Sequence, residues 1–340
     1  MSNILLIGKR HAKGNENLSG GVIVLFEELI RDFENRQIDY SVVDINYRNY
    51  HNNQILAFFL IYFEIFKKIF SSKKIMLNGS NNCLLIYAPT LRIMAWILRK
   101  PLYIRLFGGE LGNYINGLNI FLRFIAIFSI KTASKIFYEP KHILERFKKY
   151  NKNSVWFPNV RLKTSLNVNE DFRKKIIFLG HVKEDKGINY LLQAYKVLQK
   201  DGYSLAIYGP EINYICPEPY MAMYQEVYKG AIQSDKVALV LSKYDVLVLP
   251  TFYKGEGYPG VIIEALNVGL PVVATGLDGI KEMIDDSCGV LIKPKDVNSL
   301  IKGILQITNK NYVQLSENAK KRFECFDSDK VMDRIINEVI

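Results

Sequence analysis

Residues Tyr244–Glu282, YDVLVLPTFYKGEGYPGVIIEALNVGLPVVATGLDGIKE, decide the architecture. Val246–Leu249 is a short apolar run closed by Pro250, the pattern of a strand buried on both faces. A glycine-bearing loop follows, Gly255-Glu256-Gly257-Tyr258-Pro259-Gly260, and a helix carrying Glu264 begins near Gly260. Pro271–Thr275 is the next strand. Strand, loop, helix and strand in direct succession build a parallel α/β sheet from right-handed crossovers.

The same alternation extends in both directions. In the first half the strand candidates are Ile4–Gly8, Tyr40–Asn46, Lys74–Asn78, Leu102–Phe107, Lys135–Tyr138 and Ser154–Phe157. Helical stretches begin near Gly21, Gln54, Leu84, Leu118 and Lys141. The second half restarts with Lys175–Gly180, Ser204–Gly209, Asp245–Pro250, Pro271–Thr275 and Val290–Ile292. Pro158-Asn159-Val160-Arg161 and the polar stretch to Arg173 read as a linker. Two terminal helices are expected, Gln314–Cys325 and Asp329–Ile340, the last crossing back onto the first domain. The 340 residues suit two domains. The expected boundaries are 1–165, 166–325 and a C-terminal helix 326–340. The fold class is α/β, two facing Rossmann-like doubly wound sheets whose ligands bind at the carboxyl ends of the strands.

Composition narrows the setting. Apolar residues make up 49% of the chain, which excludes a disordered chain. Cys83, Cys216, Cys288 and Cys325 include no C-x-x-C pair, against a disulfide framework or zinc ribbon. Ile4–Ile7 followed by Gly8-Lys9-Arg10 is too short for a signal-peptide core. The longest apolar run, Ile55–Phe63, is far short of the roughly 20 residues of a spanning helix. A soluble, cytoplasmic protein is expected.

The net charge of +11 is one-sided. Residues 1–170 hold 24 basic and 12 acidic residues, whereas 171–340 hold 21 and 22. Such an excess concerns partners rather than fold. It suits a solvated basic face, an anionic membrane or an anionic substrate. Nucleic acid is not expected, because the aromatic residues sit in apolar runs instead of alternating with basic ones. Ile55–Phe70 is apolar nearly all round its helix, and its end carries Lys67, Lys68, Lys73 and Lys74. It reads either as a buried helix or as one lying in a membrane interface.

The helix starting near Gly260 aims free N–H groups and the positive end of its dipole at whatever lies beyond the strands, a ready phosphate site. Glu256 precedes that helix and Glu264 lies about a turn inside it. Carboxylates are poor anion ligands but good acceptors for the hydroxyls of a sugar and a ribose.

The block closely resembles the glycosyltransferase family 4 signature, Glu-x7-Glu followed by Ala, with Gly269-Leu270-Pro271-Val272-Val273-Ala274-Thr275 and the turn Gly279–Glu282. More weakly the resemblance covers the whole chain. Gly20-Gly21 is similar to the family's first phosphate-facing loop, Phe157-Pro158-Asn159 to its linker entry, and Gly180-His181-Val182-Lys183-Glu184-Asp185-Lys186-Gly187 to its phosphate clamp. The resemblance implies a GT-B fold and retaining transfer of a sugar, of hexosyl type, from a UDP- or GDP-sugar to an acceptor hydroxyl, without a cofactor or metal. It implies that Glu256 binds the donor sugar, Glu264 the ribose and Lys186 the leaving diphosphate. Gly20, Gly21, Gly257, Tyr258, Gly260, Val261 and Ile262 would complete the donor site through their backbone.

The chain departs from that pattern at two positions. His181 stands where the family usually has Arg, and it lacks the planar fork. Phe107 stands where the family often has His, before Gly108-Gly109-Glu110, the acceptor-side candidates. The expected acceptor is a glycan or polyprenyl-diphosphate-linked glycan in capsule, exopolysaccharide or O-antigen synthesis. The protein is then peripheral at the inner face of the cell membrane. The rival readings are a nucleotide-sugar-binding subunit with little catalysis and a sugar-nucleotide epimerase. Asp327-Ser328-Asp329 reads as a helix cap. The absence of G-x-G-x-x-G after the first strand argues against a dinucleotide oxidoreductase.

Overall fold

The computed structural model describes residues 3–12, 14 and 21–339. The chain forms two compact units, Met1–Pro158 with Arg334–Ile340, and Asn159–Asp333. In the first unit, β1 (Ile4–Gly8), α1 (Gly21–Asn35), β2 (Tyr40–Asp44), α2 (Gln54–Ile69) and β3 (Lys74–Gly79) are followed by α3 (Cys83–Ile86) and α4 (Ala88–Ile97). Then come β4 (Leu102–Leu106), α5 (Leu111–Gly117), α6 (Ile120–Thr132), β5 (Lys135–Tyr138), α7 (Lys141–Phe147) and β6 (Ser154–Trp156). The six strands are all parallel in the order β2-β1-β3-β4-β5-β6. Leu5, Ile7, Leu77, Ile104 and Ile136 of the strands bury one face against Ile61, Ile65 and Ile69 of α2, Leu91 and Ala95 of α4, and Ala126 and Ile130 of α6. Asn53 fixes where α2 begins, its side chain accepting from the N–H of Ile55 at 2.9 Å.

In the second unit, β7 (Lys175–Leu179), α8 (Ile188–Leu198), β8 (Ser204–Tyr208), α9 (Met221–Val227), α10 (Val237–Leu241) and β9 (Val246–Leu249) lead to α11 (Gly260–Val268). β10 (Val272–Thr275), α12 (Asp278–Lys281), β11 (Gly289–Ile292), α13 (Val297–Leu305), α14 (Tyr312–Phe323) and α15 (Ser328–Val339) complete the chain. The five strands are parallel in the order β11-β10-β9-β7-β8. Strand order therefore reverses at β7, and the loops after β7 and β9 flank the switch point, where ligands of such sheets bind. Buried Asp245 anchors the opposite end of β9, accepting from the backbone of Arg173 (2.7 Å) and Lys175 (2.8 Å) and from the Arg173 side chain.

Three details differ from the sequence reading. The first unit ends at Pro158 rather than 165, because residues 159–164 attach to α11: Asn267 accepts from Thr164 N–H at 3.0 Å and donates to Leu162 O at 2.8 Å. Only from Arg334 does α15 belong to the first unit, where Arg334 donates to Trp156 O and Lys74 to Val339 O. The segment read as one helix from Leu84 is two, broken at Tyr87 ahead of Pro89. Asp327 does cap α15, accepting from the N–H of Asp329 at 3.1 Å.

Candidate active site

The second unit gathers its chemistry at the switch point. After β7 the chain turns at Gly180 and reaches the single turn Glu184–Lys186, which ends at Gly187 with φ +80°. A Cβ at Gly187 would lie 2.2 Å from Pro250 O, so only glycine lets this loop rest on the end of β9. Phe252 N–H donates to Asp185 O at 2.8 Å and Thr251 Oγ1 to the same oxygen at 3.3 Å, joining the two loops.

Across that junction the Lys186 ammonium is ion-paired with Oε1 of Glu256, and both side chains are mostly buried, at 17% and 10% exposure. Thr251 Oγ1 is 3.2 Å from the same oxygen. Lys183 pairs with Asp185 at 2.9 Å, and the Lys183 and Lys186 ammonium groups lie 4.9 and 5.2 Å from the centre of the Tyr253 ring. A mostly buried carboxylate paired with one lysine, with a second lysine near the same aromatic ring, sets an acceptor for hydroxyls beside cations for an anion.

His181 borders the same loop. Burial holds its imidazole below the ordinary range, and Lys186 and Lys183 push it the same way. Near neutral pH it is uncharged, so the lysines carry the positive charge that the sequence reading sought from an arginine. Its folded pKa lies below the unfolded value of about 6.5. The unfolded chain therefore takes up the proton first, and stability is lost as pH falls below that value. We expect His181→Gln to flatten the fall of Tm between pH 7 and 5, measured by calorimetry. An unaltered fall would remove His181 as its source.

Glu264 lies inside α11. Its Oε1 accepts from Arg161 Nε at 2.7 Å, while Arg161 Nη1 donates to Asn159 Oδ1 at 2.7 Å. The guanidinium reaches the tip of α11, since a Cβ on Gly260 would stand 2.2 Å from Arg161 Nη2. No side chain caps this helix at Pro259. Ile262 N–H is already engaged by Pro259 O at 3.0 Å. Arg161 was not singled out from the sequence. Its neighbours in the linker entry were, but nothing in a polar linker announces a partner in α11.

The remaining candidates fall into place by packing. Tyr258 is buried, with its hydroxyl donating to Glu282 at 2.5 Å and its carbonyl accepting from Asn159 Nδ2 at 3.0 Å. Gly257 supports the loop from beneath, its carbonyl 2.1 Å from where a Cβ of Gly279 would be. Val261 is half-buried, and Ile262 is fully buried with its N–H already turned to Pro259 O. Gly21 opens α1, and Gly20 lies outside the described residues.

In the first unit, Phe107 is buried beneath the Arg105 guanidinium, 4.8 Å from its ring centre, with Phe157 at 3.4 Å. Burial pushes that guanidinium down to about 9, against the pull of Glu139. Gly108 N–H donates to Glu139 at 2.9 Å, Gly109 is half-buried, and Glu110 precedes α5. This unit has a cavity of about 600 Å³ at the carboxyl ends of β1 and β2, lined by Arg10, His11, Glu27, Asp44, Tyr50 and Glu64 among others. Phe107–Glu110 do not line it. Among the described residues, no group of three or more His, Cys, Asp or Glu is placed to hold a metal.

Residues 173–310 match the glycosyl transferases group 1 family. That region holds Lys186, Glu256 and Glu264. The capsular polysaccharide biosynthesis glycosyltransferase CapM of Staphylococcus aureus is 26% identical over 262 residues, 68% of each chain. An uncharacterised glycosyltransferase of Methanocaldococcus jannaschii is 28% identical over 196 residues, 54% of this chain and 49% of its own. The matched regions span from 35% to 68% of the length of these and similar curated relatives. Among solved structures, Anabaena HepE in complex with UDP superposes with a TM-score of 0.74 at 16% identity over 99% of both chains. Residues 173–310 are thus similar to glycosyltransferases in sequence, and the whole chain shares with HepE the GT-B fold of two Rossmann-like parallel sheets.

Proposed function

We propose that the chain is a retaining glycosyltransferase of hexosyl type. It moves a sugar from a UDP- or GDP-sugar to an acceptor hydroxyl of a lipid-linked glycan in bacterial surface-polysaccharide synthesis, working peripherally at the inner face of the cell membrane. The Lys186–Glu256 pair at the switch point carries the reading. Rupture of the glycosidic bond builds negative charge on the departing diphosphate, and fixed cations at a helix tip stabilise that charge more than they stabilise the ground state. Lys186, helped by Lys183 and the N–H groups at the start of α11, takes this role; Glu256 accepts from the sugar hydroxyls and Glu264 from the ribose. No cofactor or metal enters the reading. The role of CapM in capsular polysaccharide biosynthesis and the UDP bound to HepE support the pathway and the donor class.

The test is incubation of the purified chain with labelled UDP- and GDP-sugars, with and without a lipid-linked acceptor, scoring bound donor, free nucleotide and labelled lipid. Transfer supports the proposal. Binding without turnover, with acceptor present, assigns the chain instead to a nucleotide-sugar-binding subunit. Altered sugar without acceptor marks an epimerase.

Glu264→Ala is expected to weaken UDP or GDP binding by about 1–3 kcal/mol, read by calorimetry, with a smaller effect on turnover at saturating donor. Equal losses in binding and turnover would mean that the ribose assignment is wrong.

A further inference from the structure

The first unit shows an outward surface that water does not suit. α2, α4 and α6 bury their inner stripes on one face of the sheet, and α4 packs against α6. α2 joins them through Tyr62, whose hydroxyl lies 2.7 Å from Thr90 Oγ1 and 2.8 Å from Ile86 O. The three helices therefore form one layer. Its outer stripes should be polar in a helix facing water. Here Ile55 (70% exposed), Phe59 (64%), Phe63, Phe66 and Phe70 run down α2 at spacings of three and four. Ile93, Trp96 (70%) and Ile97 continue on α4, and Ile120 (88%), Phe121, Phe124 and Phe128 on α6. Among the described residues, every exposed large hydrophobic side chain of this unit lies between Ile55 and Phe128. An apolar surface of this extent marks an interaction face.

Charge selects the occupant. From Gln54 to Thr132 the sequence has nine Lys or Arg besides the buried Arg105, and two acids, Glu64 and Glu110. Glu64 is taken by Lys68 at 2.5 Å and by Tyr50. Lys67, Lys73, Arg99 and Lys131 are exposed on or near these helices, and the Lys67 ammonium lies 4.4 Å from the centre of the Phe63 ring. A symmetric contact between two copies would set cations against cations. Aromatic bulk among cations suits a layer of acidic headgroups over acyl chains. No helix described is long and apolar enough to cross a membrane.

We propose that the outer face of α2, α4 and α6 embeds in the interface of an anionic bilayer, with Phe59, Trp96 and Phe121 below the headgroups and the lysines at the phosphates. This deepens the reading of a lipid-linked acceptor, and as a place for that acceptor it rests on that reading. The test is flotation of the full chain with vesicles of phosphatidylglycerol and phosphatidylcholine, and of phosphatidylcholine alone. Quenching of tryptophan emission by brominated acyl chains is measured in parallel.

We expect binding to the anionic vesicles, a several-fold loss in high salt, and quenching that disappears in Trp96→Phe while Trp156 remains. Phe59→Ser/Trp96→Ser/Phe121→Ser should reduce the bound fraction at least tenfold, with UDP- or GDP-induced thermal stabilisation, where the parent shows it, serving as the control for folding. Equal binding by parent and variant overturns the proposal. So does a parent that ignores vesicles and is a dimer which the variant turns into a monomer. Vesicle binding without sugar transfer overturns the reaction and leaves this face standing; transfer without vesicle binding does the reverse.

Discussion

Lys186→Ala should slow sugar transfer about 10²–10³-fold at saturating donor, the loss typical of removing one donor that meets charge developing in a transition state. Nucleotide affinity should change much less, because the ammonium acts mainly on charge that grows as the bond breaks. The structure adds a complication, since Lys186 neutralises Glu256 in a largely buried pair. The variant therefore leaves a carboxylate unpaired, and part of any loss could come from a disturbed loop. The double variant Lys186→Ala/Glu256→Ala separates the two effects: it should regain thermal stability without regaining turnover. Unchanged turnover in the single variant would falsify the role of Lys186.

Glu256→Ala should have the larger combined effect. Transfer falls below detection, because the donor sugar loses the acceptor that orients it. Stability falls as well, by up to about 3 kcal/mol, since breaking a mostly buried pair leaves an uncompensated ammonium. For a unit of this size that is a drop in Tm of about 6–12 °C. UDP or GDP binding should survive, because Glu264 and the start of α11 are untouched. A variant that binds nucleotide poorly but transfers at the parent rate from saturating donor would reverse the assignments of Glu256 and Glu264. Thermal melts, calorimetric titration and turnover on one preparation decide between these outcomes.

Much of the fold was legible because the central strands are buried on both faces and most strands run into a glycine or proline within two residues. Ile4–Gly8 and Lys135–Tyr138 are strands with the bounds read from the sequence. Short helices without a full apolar stripe, such as α5, were not legible. The proximity of Lys186 to Glu256 followed from the topology, since residues after β7 and β9 meet wherever those strands pair. The partner of Glu264 did not follow. Arg161 is 103 residues away in the chain, in a stretch whose composition says only that it is polar. For α2, apolarity all round the helix fits a buried one. The helix instead buries Ala57, Ile61, Ile65 and Ile69 and turns its other side outward, a distinction that periodicity cannot make when both sides are apolar.

The close approach of Gly279 to the carbonyl of Gly257 reaches beyond its own turn. Any side chain placed there would push on the segment that presents Glu256 from behind. In a saturation screen for activity, position 279 would then score as intolerant as a residue that grips the sugar, although its own role is that of a backstop. Only a readout of folding, kept apart from the readout of catalysis, tells the two kinds of position from each other.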